Sequence, residues 1–106
     1  MVGVSFADAR TVADLMAKGQ ATLIDVREPH EHAGERIAGA RLVPLSAFDP
    51  AGAQPDPGTR LVLHCAAGVR CGVAAQILQA NGYPGDILRM AGGIKAWRAE
   101  GLPTER

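Results

Sequence analysis

Within a single stretch, RLVLHCAAGVRCGVAAQIL (60–78), the chain changes from a strand-like to a helix-like pattern with only a short loop between. A strand feeding directly into a helix is the unit from which helix-covered parallel sheets are built. The same succession recurs along the chain. ATLIDV (21–26) is an apolar, β-branched run ending in charge, as expected of a buried parallel strand opening into a loop. A short strand is expected near Arg41–Val43, and DILRM (86–90) reads as another.

The helices follow from spacing and stop signals. Ser5 is expected to cap a first helix, with Val12, Leu15 and Met16 at helical spacing and Gly19 as the stop. Residues 71–81 form a helix closed by Asn81-Gly82. GGIKAWRAEGLP gives a final helix stopped by Gly101 and Pro103, with Trp97 packing it onto the core. HEHAGERIAGARLVPL holds an irregular helical turn, and FDPAGAQPDPGT (48–59) reads as a surface connection. This is an α/β chain around a mainly parallel sheet. Ligands of such sheets sit beyond the carboxyl ends of the strands, where Asp25 and Cys65 both lie.

At 106 residues the chain is expected to be one domain, 1–106. Lys and Arg total 11, as do Asp and Glu, with no block of like charge, which excludes nucleic-acid binding driven by bulk electrostatics. No signal-peptide pattern and no long apolar span is visible, so a cytoplasmic protein without a membrane span is expected. The two cysteines, Cys65 and Cys71, complete no zinc pattern, so no metal is expected. Both thiols should be free at rest. His30 and His32 stand two apart, a spacing that turns them away from each other on a helix, and both read as solvated.

The loop between strand and helix has the composition of an anion cradle. A helix start offers unpaired N–H groups and partial positive charge. Gly68 lets the backbone bend, Ala66 and Ala67 leave the cup empty, and Arg70 sets a permanent cation at the rim. A thiol at the bottom should ionise easily. Lowering its pKa from ~8.5 to about 6.5 needs roughly 2.7 kcal/mol. A helix terminus supplies up to ~2 kcal/mol when partly buried, and several N–H donors with a guanidinium cover the rest. Cys65 therefore reads as a nucleophile and Arg70 as an anion contact, with residues Ala66, Ala67, Gly68, Val69, Arg70 and Cys71 lining the substrate site. His64 precedes the nucleophile on a strand, so its side chain points to the opposite face, where it reads as a satisfied neighbour. Glu28 and Glu31 read as solvated residues or partners for Arg27.

These residues also carry a resemblance. HCAAGVRC resembles the active-site loop of the rhodanese-like sulfurtransferases: Cys, two variable residues, Gly, one variable residue, Arg, then commonly Ser or Thr. LIDVREPHEHAGERIAGARLVPL is similar to that family's first signature, and MAGGIKAWRAEGLP to its closing one. The resemblance runs from about Ser5 to Pro103 and implies a rhodanese-like three-layer sandwich, with a central, mainly parallel five-stranded sheet flanked by helices. It implies a thiosulfate sulfurtransferase working without cofactor through a Cys65 persulfide, with Asp25 and Arg27 as structural support. Its partners would be a small anionic sulfur donor and a thiol or protein sulfur acceptor, and the protein is expected to act as a monomer. Three departures stand out: Cys71 replaces the hydroxyl residue, Glu35-Arg36 replaces a common Gly-His pair, and no cation stands at 66 or 67.

Two other functions compete. A cysteine phosphatase or arsenate reductase uses a loop with five residues between Cys and Arg. Only four separate Cys65 from Arg70 here. One residue fewer shortens the rim by about 3.5 Å and a circular cradle's radius by roughly 0.5 Å, which suits one extra sulfur atom better than a tetrahedral oxyanion. The non-enzyme alternative is a thiol redox sensor or sulfur-relay module with a protein partner, in which Cys71 serves as resolving thiol.

Overall fold

The computed structural model describes residues 3–106. Its five strands are β1 (Val4–Ala7), β2 (Ala21–Asp25), β3 (Arg41–Leu42), β4 (Arg60–His64) and β5 (Ile87–Met90). They form one sheet in the order β1-β5-β4-β2-β3, every pair parallel. The four helices are α1 (Ala9–Ala17), α2 (Pro29–Gly34), α3 (Arg70–Ala80) and α4 (Gly93–Ala99).

Central strands β2 and β4 are buried along nearly their whole length, which is why each reads as a continuous apolar run. Successive side chains alternate between two cores. Ile24, Val26, Leu61, Leu63 and Cys65 turn to one face and pack with Ala74, Ala75 and Leu78 of α3. Leu23, Val62, Leu88 and Met90 turn to the other, against Val12 of α1 and Ile94 and Trp97 of α4. The result is the three-layer sandwich expected. Trp97 is buried as predicted, and its indole N–H donates to the Pro103 carbonyl at 2.7 Å. Among the described residues no helix is long and apolar enough to cross a membrane.

Two local expectations change. Ser5 does not cap α1; it lies in β1, and Asp8 is the cap, its carboxylate accepting from the Thr11 N–H at 2.8 Å. β1 is an exposed edge strand with a polar residue at its centre, so it leaves no apolar run to read. The 48–59 connection is not wholly superficial either: a short 3₁₀ turn, Pro50–Ala53, folds Ala53 fully into the core.

Candidate active site

The register of the sheet assembles the site. Asp25 at the end of β2 pairs with His64 at the end of β4, so the loops that follow both strands emerge side by side. The loop after β4 carries Cys65 and enters α3 at Arg70; the loop after β2 enters α2 at Pro29.

Cys65 is almost fully buried at the loop's base. Gly68, at φ +97°, turns its N–H onto the sulfur, with nitrogen and Sγ 3.1 Å apart. That φ favours glycine, and an added Cβ would stand 3.1 Å from the Gly92 nitrogen. No side chain caps α3, which leaves its first N–H groups for the loop to use. The neighbouring Cys71 thiol, which donates to the Gly68 carbonyl oxygen at 3.3 Å, is the strongest influence on Cys65. Burial opposes ionisation, but the N–H groups of Cys71, Gly68 and Arg70 outweigh it, and the Cys65 pKa falls to about 4. The neighbouring Cys65 sulfur pushes Cys71 upward in turn, and burial reinforces this. Both cysteines are buried and free, with no disulfide between them.

The closing Gly-Gly pair explains itself here. Gly92 and Gly93 both have positive φ, and a Cβ on Gly93 would lie 2.3 Å from the Cys65 carbonyl oxygen. Without it, the Ile94 N–H donates to that carbonyl at 2.9 Å and the Lys95 N–H to the Ala66 carbonyl at 3.2 Å. The start of α4 therefore buttresses the loop from beneath.

Arg70 lies at the rim but is not free. Both oxygens of Glu31 accept from its guanidinium, at 2.7 and 2.9 Å. Glu31 is accordingly neither solvated nor a side-chain partner of Arg27. The Arg70 hydrogen bonds pull its pKa down to about 2 against the opposing effect of burial. Arg27 instead lies along Asp25, donating from Nε and Nη2 to the carboxylate, and also reaches the Glu35 carbonyl at 2.7 Å. Glu28 forms a capping box with Glu31 and accepts hydrogen bonds from Ser46, tying α2 to the loop after β3.

The histidines divide. His30 is exposed as expected. His32 is not solvated: its Nδ1 lies 2.9 Å from Asp25 Oδ2, a partner outside its own helix that residue spacing could not reveal. His64 is buried with Nδ1 3.2 Å from the Cys65 carbonyl oxygen, but its Nε2 has no hydrogen-bond partner among the described residues and stands 3.8 Å from Asp25. It is half satisfied, not fully. Burial drives its pKa down despite the Asp25 charge. Asp25 itself is raised by burial, but the Arg27, His64 and His32 contacts more than reverse this, and the carboxylate stays ionised.

Sequence reasoning missed Arg89. From β5 its Nη2 donates to the Gly68 carbonyl at 2.7 Å and its Nε to the Cys71 sulfur at 3.4 Å. The contact crosses from a neighbouring strand, and nothing in the DILRM segment marks it.

The pattern of the rhodanese-like domain matches residues 8–100. The chain belongs to the rhodanese-like family. A rhodanese-related protein from Thermoplasma volcanium superposes with a TM-score of 0.80 at 26% identity, covering 95% of this chain and 97% of that one. A sulfurtransferase of Allochromatium vinosum is 33% identical over 81 residues, covering 76% of this rhodanese-like chain and 75% of the relative. An uncharacterized protein of Synechocystis is 39% identical over 95 residues, 90% of this chain but 52% of its own length. The rhodanese-like chain thus spans about half of that longer relative. A transferase role in sulfur chemistry is the activity class these likenesses support.

Proposed function

We propose that this protein is a sulfurtransferase that carries a sulfane sulfur on Cys65, taking it from thiosulfate or a similar anion and passing it to a thiol or to cyanide. The observation that carries this reading is the Cys65 sulfur, ionised down to about pH 4 and facing backbone N–H groups at the uncapped start of α3. In the first step the thiolate attacks the outer sulfur of thiosulfate, the S–S bond of the donor breaks, and sulfite leaves with the electron pair. The terminal sulfur of the resulting persulfide is an anion, and the amides of residues 66–71 are its cradle. An acceptor nucleophile then attacks that terminal sulfur and regenerates the thiolate. This is two-step covalent catalysis with ping-pong kinetics, and each step needs only groups of the chain, the donor and the acceptor.

Incubation with thiosulfate is expected to add the mass of one sulfur atom, removable by cyanide and absent in Cys65→Ser. Retention of transfer by Cys65→Ser would overturn the reading. Because a second free thiol in the first turn of α3 also suits a thiol switch, Cys71→Ser separates the two functions: a catalyst keeps turnover without Cys71, whereas a switch loses its response.

A further inference from the structure

We propose that Arg89 is a positioning residue for the Cys65 loop: it locks the Gly68 carbonyl, and through that peptide keeps the Gly68 N–H on the Cys65 sulfur. This deepens the sulfurtransferase reading and rests on it for its catalytic meaning.

Arg89 stands in register with Phe6 of β1 and Leu63 of β4, two residues before the end of β4's continuation into Cys65. Its guanidinium lies over the Phe6 ring, 4.4 Å from the centroid, which fixes the side chain's course along the sheet. Unlike Arg70, it has no carboxylate partner among the described residues. Its hydrogen bonds go to the loop instead, one to Gly68 and one to Cys71.

Both have consequences for Cys65. A glycine at φ +97° can readily rotate either of its peptide planes. Gly68 is held from both sides, its N–H on the Cys65 sulfur and its carbonyl on Arg89 Nη2. Losing the second anchor frees the first. Cys71 has a single hydrogen to place. Arg89 Nε donates into the Cys71 sulfur, so that hydrogen points elsewhere. It goes to the Gly68 carbonyl, 3.3 Å away, which with its two lone pairs accepts from the Cys71 thiol and from Arg89 together. A thiol is a weak donor, so without Arg89 the Gly68 carbonyl keeps only its weaker anchor.

Gly72 supplies an independent handle. A Cβ there would lie 2.8 Å from Arg89 Nη2 and 2.9 Å from Cζ, the mobile end of a side chain. Gly72→Ala therefore leaves the charge in the protein and pushes the guanidinium off the loop, while favouring helix α3.

The test is a pH titration of the Cys65 thiolate by its ultraviolet absorbance, which needs no sulfur donor. The wild-type midpoint is expected at about 4. Arg89→Met and Gly72→Ala should each raise it by about one pH unit, a tenfold gain in proton affinity, with circular dichroism unchanged. Arg89→Lys should restore only part of the shift, because an ammonium does not reproduce the fixed fork of the guanidinium on the Gly68 carbonyl. An unmoved midpoint in Gly72→Ala and Arg89→Met would overturn the proposal. Full restoration by lysine would reduce Arg89 to a distant charge and overturn it as well. Normal titrations in a protein that moves no sulfur would instead overturn the sulfurtransferase reading alone.

Discussion

Glu31 holds Arg70 with both carboxylate oxygens, and the pair is only partly exposed. An anionic donor must compete with a built-in carboxylate for the same guanidinium. Arg70→Ala removes a charge-assisted contact worth about 1.5–3 kcal/mol and should raise the KM for thiosulfate by roughly tenfold or more. Glu31→Gln should act in the opposite direction, lowering that KM several-fold while leaving single-turnover chemistry at saturation nearly unchanged. Steady-state titration with thiosulfate reads both. Identical thiosulfate dependence in all three proteins would remove Arg70 from the donor site. The contrast with Cys65 shows what a sequence makes legible at this scale. Cys65 owes its environment to the next six residues, so its chemistry can be read locally. Arg70 owes its state to Glu31, thirty-nine positions earlier, and Cys71 to Arg89, eighteen later. Those dependences are set by the sheet order and leave no local trace.

At the scale of elements, the loop is a structure held between α3 above and α4 below. Gly93 is where α4 touches it. Gly93→Ala would place a methyl carbon 2.3 Å from the Cys65 carbonyl oxygen and force an alanine to φ +61°, and the obstructing atoms are backbone. The left-handed conformation alone costs about 1–2 kcal/mol, and the clash adds to it. Gly93→Ala is expected to lower Tm and to slow persulfide formation by at least tenfold, measured in a single turnover with thiosulfate. A control, Gly101→Ala, meets no atom within 4 Å of its Cβ but has the same kind of φ, +74°, so it should lose stability without losing the chemical step. Equal rates in wild type and Gly93→Ala would show that α4 does not set the loop. Strands β2, β4 and β5 and helices α3 and α4 can be recognised from sequence because burial on both faces writes apolar runs and glycine stops into it. β1 and α2 cannot be recognised as easily. β1 is exposed, and α2 is six residues held by a Glu28–Glu31 capping box and by Arg27.

The whole molecule registers the site through its stability, because Cys65, His64 and Cys71 bind their protons differently in the folded and unfolded chains. Cys65 ionises at about 4 when folded and near ~8.5 when unfolded. Between those values the unfolded chain holds a proton that the folded one does not, so stability rises with pH and is lost as pH falls toward 4. His64, kept neutral mainly by burial, adds to this rise only below about 6.5, where an unfolded histidine takes up its proton. From about 6.5 to ~8.5 the slope belongs to Cys65, roughly 1.4 kcal/mol per pH unit for one proton. Cys71 has the opposite sign. Its folded pKa is raised, chiefly by the neighbouring Cys65 sulfur and then by burial, so its contribution is complete below ~8.5 and falls away at higher pH as the unfolded thiol ionises first. Stability should therefore peak near pH ~8.5, with one cysteine on each flank. Denaturant unfolding at a series of pH values, under reducing conditions, measures this directly. Cys65→Ser should flatten the rise between about pH 6.5 and ~8.5, and Cys71→Ser should remove the fall above it. A wild-type profile as flat as that of Cys65→Ser would mean that the loop does not hold a thiolate, and the cradle would lose its chemical purpose.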